Sequence, residues 1–227
     1  MNLNLFDQFS IPTLLFNSLF PLTIFLPSLF FTKPNKDWIL TRLITLQSWF
    51  LKMLSKQIFS STSTKGYKWF PLLSSLMMFF MLTNLLGLLP YTFTPTTQLA
   101  LNLAVATPLW LSTVLTGLRG QPTMSVAHLL PEGAPTPLIP ALIIIETVSL
   151  FIRPIALGVR LTANLTAGHL LIQLISSATV VMIFLMPAMS LSLFIVLLML
   201  SLLEIAVALI QAYVFVLLLT LYLQENT

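Results

Sequence analysis

Between Thr179 and Leu223 the chain carries a single charged residue, Glu204, in a run dominated by Leu, Ile, Val, Met, Phe and Ala. About 20 apolar residues suffice to cross roughly 30 Å of hydrocarbon as a helix, and this run is far longer. In lipid every backbone N–H and C=O must be satisfied internally, which leaves helices or a closed barrel. Leucine dominates and period-2 alternation is absent, so helices are implied. The whole chain agrees, with 57% hydrophobic residues, 7% charged and a mean hydropathy of +0.99. Soluble domains have about 45–50% apolar and about 25% charged residues.

Composition also excludes much chemistry. With no cysteine there is no disulfide framework, iron–sulfur cluster or thiol catalysis. Only two histidines, His128 and His169, argue against bis-histidine haem ligation. No Walker-type Gly-rich loop and no HExxH occurs, so no cofactor, metal or nucleic acid is expected. The opening Met1-Asn2-Leu3-Asn4-Leu5-Phe6-Asp7 has no basic region. It reads neither as a secretory signal nor as a transit peptide.

The predicted architecture is an all-α membrane protein forming one integral membrane domain over 1–227. Its parts are an N-terminal span, an in-plane amphipathic helix, a two-span hairpin and a long, strongly tilted two-helix hairpin. The first span covers 10–31 and is kinked by Pro12, Pro21 and Pro27. In 36–59, Asp37, Thr41, Thr45, Ser48, Lys52, Ser55 and Lys56 share one face. Ile39, Leu40, Leu43, Leu46, Phe50, Met53, Leu54 and Ile58 share the other, with Trp38 and Trp49 at a border. That pattern reads as a helix lying on the membrane surface, the alternative being a bundle helix with one wet face. Spans at 69–89 and 97–119 follow, then an irregular loop over 120–136 containing Pro122, Pro131, Gly133 and Pro135. Two long helices close the chain at 137–177 and 180–223, with a turn expected near Ser176-Ser177-Ala178-Thr179. The first would run about 60 Å at about 1.5 Å per residue, so it must tilt strongly or bend at Pro154.

This topology puts Lys33, Lys36, Arg42, Lys52, Lys56, Lys65, Lys68 and Arg119 on one side, the cytoplasm-equivalent side by the positive-inside rule. The N-terminus then lies opposite and the C-terminus on the basic side.

Polar residues inside the long helices are costly and mark function. Glu146, Arg153, Arg160 and Asn164 follow at steps of seven, seven and four, which keeps them within about 40° of one helical line. His169 points the other way, with Gln173 one turn beyond. Glu204 and Gln211 share a face of the second helix. Each has a plainer reading. Arg153 and Glu146 can be a structural ion pair, Asn164 and Gln211 interhelical hydrogen-bonding groups, and His169 a donor to a backbone carbonyl. His128 and Glu132 read as surface loop residues. Glu204 is harder to set aside, because a carboxyl in a leucine-rich run is protonated, paired or hydrated. Arg160 is a permanent cation, since a guanidinium does not release its proton in proteins. Carboxyl, imidazole and amide groups together are what a proton path requires. Arginine relays nothing and serves such a path as barrier and counter-ion.

The run Arg153-Pro154-Ile155-Ala156-Leu157-Gly158-Val159-Arg160-Leu161-Thr162-Ala163-Asn164-Leu165-Thr166-Ala167-Gly168-His169 resembles the signature of the membrane subunit a family of F-type ATP synthases. The resemblance is strongest to the mitochondrially encoded vertebrate members. The opening Met-Asn-x-Asn-Leu-Phe, the turn Leu86-Gly87-Leu88-Leu89-Pro90-Tyr91 and the stretch Glu204-Ile205-Ala206-Val207-Ala208-Leu209-Ile210-Gln211-Ala212-Tyr213 also fit. The resemblance implies a non-catalytic, proton-translocating stator in the mitochondrial inner membrane. Its N-terminus would lie in the intermembrane space and its C-terminus in the matrix. Implied partners are a ring of c-subunits with membrane-embedded carboxylates, other stator and peripheral-stalk subunits, and lipid. It further implies that Arg160 is the essential arginine and that Asn164 lies one turn along. His169 and Glu204 would line the access half-channel, Gln211 would face Arg160, and Glu146 would lie near the matrix exit; Gln173, by its place one turn beyond His169, is counted in the same path. In bacterial relatives the His169 and Glu204 residue types appear exchanged, which supports their working as a pair.

Rival readings remain: a lone transporter or proton channel, a redox-driven pump subunit, or a purely structural subunit. Internal repeats, as in many transporters, are absent. The core is poor in histidine for redox sites, and Arg160 with Glu204 argues against a structural role.

Overall fold

A computed structural model describes residues 6–14, 17, 18, 20–27, 42–59, 68–89, 92–120, 122 and 138–225. Among these the regular structure is helical apart from one pair of two-residue strands. Strands β1 (Thr13–Leu14) and β2 (Asn17–Ser18) pair antiparallel, Thr13 opposite Ser18. Helices follow as α1 (Phe20–Phe25), α2 (Arg42–Phe59), α3 (Phe70–Gly87), α4 (Leu99–Gly120), α5 (Ile139–Leu185) and α6 (Pro187–Glu225). The last four are long and apolar enough to cross a membrane.

Two expectations are corrected. The segment 10–31 is not one kinked span: its described residues form the strand pair and a six-residue helix. Proline removes a backbone donor and clashes with the preceding turn, and Pro12, Pro21 and Pro27 leave no room for a long helix. The turn between the long helices is not at 176–179 but at Met186, between Leu185 and Pro187. The hydroxyls of Ser176, Ser177 and Thr179 donate to the carbonyls of Gln173, Leu174 and Ser176 at 2.9, 2.8 and 2.6 Å. They are satisfied inside the helix and so do not break it. Pro187 is suited to open α6, since a helix's first N–H has no partner to lose. Residues 36–41 and most of the 120–136 loop, with His128 and Glu132, lie outside the described residues.

The chain forms two compact units. The first comprises Met1–Phe31, Met78–Leu99 and Arg160–Tyr213. Its core joins Phe80, Leu161, Leu165, Ala208 and Ala212, all nearly inaccessible. Asn84 Nδ2 donates to the Ala208 carbonyl at 3.3 Å, tying α3 to α6. Gly87 ends α3 against Thr94, whose Cγ2 would stand 2.5 Å from a Cβ there, so only glycine lets the turn close. The α3–α4 connection is stitched by Thr94 and Thr97, whose hydroxyls lie 3.1 Å apart, while Gln98 Nε2 donates to the Phe9 carbonyl at 2.9 Å.

The second unit comprises Thr32–Met77, Ala100–Val159 and Val214–Thr227. Leu73, Met77, Ala106, Leu157, Phe215, Val216, Leu219 and Leu223 form its core. Gly158 allows α5 to approach α4, because a Cβ there would lie 2.9 Å from Leu103 Cδ2. Pro108 and Pro154 sit inside helices that continue through them.

Candidate functional site

In the first unit, α5 presents His169 and α6 presents Glu204, with imidazole Nδ1 3.5 Å from carboxylate Oε1. Glu204 is only 4% exposed. Its two oxygens, His169 Nε2 and Gln173 Oε1 are buried without a hydrogen-bond partner within the described protein. A buried polar group left unpaired costs about 1–3 kcal/mol, so these groups call for a partner beyond the protein atoms around them. Gly168 makes the space: a Cβ on it would stand 2.9 Å from Glu204 Oε1 and 3.2 Å from its carboxyl carbon.

Arg160 and Asn164 behave differently. Both are exposed on the opposite side of α5 from His169, as a nine-residue step of about 100° per residue requires. Among the described residues no ion pair reaches Arg160. Ala163, Asn164 and Ala167 are exposed beside it, and Leu171 and Leu174 continue the face. Small residues on such a face let another helix approach closely. On α6, Met199, Leu202, Leu203 and Ile210 make an exposed apolar strip, and Gln211 is half-buried.

In the second unit Arg153 is well accompanied. Its guanidinium lies 2.8 Å from Glu225 Oε2, 3.5 Å from Glu146 Oε1 and 5.4 Å from the ring centre of Tyr222. Of the two readings of Glu146 and Arg153, ion pair or path residue, the geometry shows the pair, with a second carboxylate added.

Of the residues singled out from sequence, the structure joins His169 to Glu204, with Gln173 one turn along, and Glu146 to Arg153. Among the described residues no ion pair or hydrogen bond joins Arg160 to Gln211, and Asn164 faces outward. Sequence reasoning missed Gly168, Asn84 and Glu225. A glycine beside an intramembrane histidine and a lone amide in the apolar run Met81-Leu82-Thr83-Asn84-Leu85 were the available signals. Among the described residues no His, Asp or Glu cluster could hold a metal.

Fold and site define a multi-span helical membrane protein with ionisable groups placed inside its apolar helices. The ATP synthase A chain family matches residues 15–224. Similar chains are the ATP synthase F(0) complex subunit a of Struthio camelus, Polypterus ornatipinnis and Anas platyrhynchos, 63%, 62% and 61% identical. Each comparison covers 100% of both chains. The chain belongs to the ATP synthase A chain family.

Proposed function

We propose that this chain is the proton-conducting stator of an ATP synthase Fo sector in the mitochondrial inner membrane. One observation carries the reading: Arg160, a permanent cation on a span-length helix, faces outward on a small-residue surface with no anion beside it among the described residues. Lipid does not accept such a group, so the face calls for a protein partner that brings a carboxylate. A ring of small helical subunits, each with an intramembrane carboxyl, supplies one.

Protons enter from the intermembrane side past His169, Glu204 and Gln173, where carboxyl and imidazole exchange them and amides hold water. Asn164 and Gln211 continue the path toward the ring. The incoming proton neutralises a ring carboxylate, which then passes into lipid at little cost, whereas an ionised one does not. After nearly a full turn the carboxyl meets a matrix-side exit near Glu146 and releases its proton. Arg160 favours the ionised carboxylate at the boundary, as a nearby opposite charge must, and separates the two half-channels. Each proton falling through about 100 mV delivers roughly 2.3 kcal/mol. The C-terminus and the basic segments lie on the matrix side. α5 and α6 are tilted, since 47 residues of helix run about 70 Å, more than twice the hydrocarbon thickness.

The chain contains no cysteine, so a thiol introduced at Ala167 reports contact cleanly. With Ala167→Cys in the assembled complex, oxidation is expected to form a disulfide with a cysteine placed beside the ring carboxylate. A cross-link to a peripheral subunit and none to the ring would overturn the reading.

A further inference from the structure

The proton path leaves α2 unused, and its surface is unlike that of any other helix here. From Arg42 to Phe59 it holds Arg42, Lys52 and Lys56 and no acidic residue. Leu46, Trp49 and Met53 are 65%, 63% and 48% exposed. Their spacing of three and four puts them on one face, and that face is not packed away inside the second unit. This strip is the edge of the apolar face where it borders the polar one, so the cations, all exposed, stand beside it. At about 100° per residue, Arg42 lies on the line of the strip one turn before Leu46. Lys56 and Lys52 follow along a single border. A helix that merely shields a core has its charges on the side away from its apolar strip. One that lies in a membrane surface needs strip and cations at nearly the same depth, the strip in the acyl boundary and the cations among the phosphates.

We infer that α2 is a binding site for anionic phospholipid, with Leu46, Trp49 and Met53 inserted and Arg42, Lys52 and Lys56 holding the headgroups. Charge complementarity selects the occupant. Three cations with no acid among them gain from a net-negative headgroup and little from a zwitterionic one. Lysine and arginine stems reach along apolar surface while their heads stay with the phosphates, and tryptophan favours the interface. Each cation near an anionic leaflet enriches binding on the order of fivefold, less at high salt. The site anchors the basic end of the chain and draws a collar of anionic lipid to it. It rests on the membrane placement of α3 to α6 and not on the proton mechanism.

The test uses the assembled complex in vesicles, with Trp49→Cys carrying an environment-sensitive fluorophore and the cysteine-free chain as labelling background. Nitroxide-labelled phosphatidylglycerol and phosphatidylcholine are compared as quenchers at equal mole fraction. The expected result is severalfold stronger quenching by phosphatidylglycerol, falling toward equality in high salt. Arg42→Gln/Lys52→Gln/Lys56→Gln should abolish the preference and keep the quenching by phosphatidylcholine. Lys52→Arg/Lys56→Arg, which keeps both charges, should retain it. Equal quenching by the two lipids in the parent chain overturns the proposal. So does an absence of quenching by either, which would mean a protein covers this face. ATP synthesis is read in the same vesicles, so failure of the proton mechanism registers separately.

Discussion

Arg153 and Arg160 lie two turns apart on α5, yet the first is gripped by Glu225, Glu146 and the Tyr222 ring. The second meets no anion among the described residues. The same contrast holds for the carboxylates. Glu146 and Glu225 are partly exposed and paired to a permanent cation, whereas Glu204 is buried with only a histidine at 3.5 Å. A charge that has found its counter-charge and some solvent is a structural element of modest worth. A charge withheld from its counter-charge inside apolar helices is costly, and a fold retains it for a partner or a transported ion. The second unit shows the first arrangement and the first unit the second.

Three substitutions would break or sharpen that contrast. The largest effect is expected from Glu204→Gln, which keeps the shape and removes the exchangeable proton. ATP-driven proton pumping by assembled complexes should fall on the order of a hundredfold, the scale of losing a positioned acid–base group. Retained pumping would reduce the His169–Glu204 pair to packing. Gly168→Ala should come next, with a severalfold loss, because its Cβ would stand 2.9 Å from Glu204 Oε1 and push the carboxyl aside. Glu204→Asp in the same chain draws the carboxyl back and should recover part of the loss. No recovery would mean that Gly168 acts on the backbone instead. Arg153→Gln should be mildest. Its side chain is 28% exposed and that of Glu225 58%, so the pair is worth about 0–1 kcal/mol. Complex stability on heating should shift slightly and pumping should stay within about twofold. A collapse of pumping on the scale of Glu204→Gln would erase the difference drawn between the two arginines.

Much of this was legible in the chain. Hydropathy placed α3 and α4 within a few residues, because lipid permits only satisfied helices. The nine-residue step from Arg160 to His169 put the two on opposite sides of one helix, and in the structure Arg160 is exposed while His169 is half-buried. The end of α5 was not legible. Ser176, Ser177 and Thr179 look like a turn on a page, but their hydroxyls bond back to the helix. Proline at 187 opens α6 instead. The N-terminal segment misled in the other direction, since its mean apolarity hid how thoroughly three prolines break it. Gly168 and Glu225 act only through distant partners on α6 and α5, and no local pattern encodes such pairings. Arg160 was found by the cost of its charge in an apolar run, which needs no structure to see.

The central claim is that Arg160 is left unpaired so that it can meet ring carboxylates and keep two half-channels apart. The direct measurement is passive proton conductance and ATP synthesis in membranes carrying Arg160→Ala, with assembly of the complex verified. The account predicts that synthesis is lost while passive conductance persists or rises. Normal coupled synthesis would contradict it, leaving the arginine a structural cation and the mechanism without its barrier.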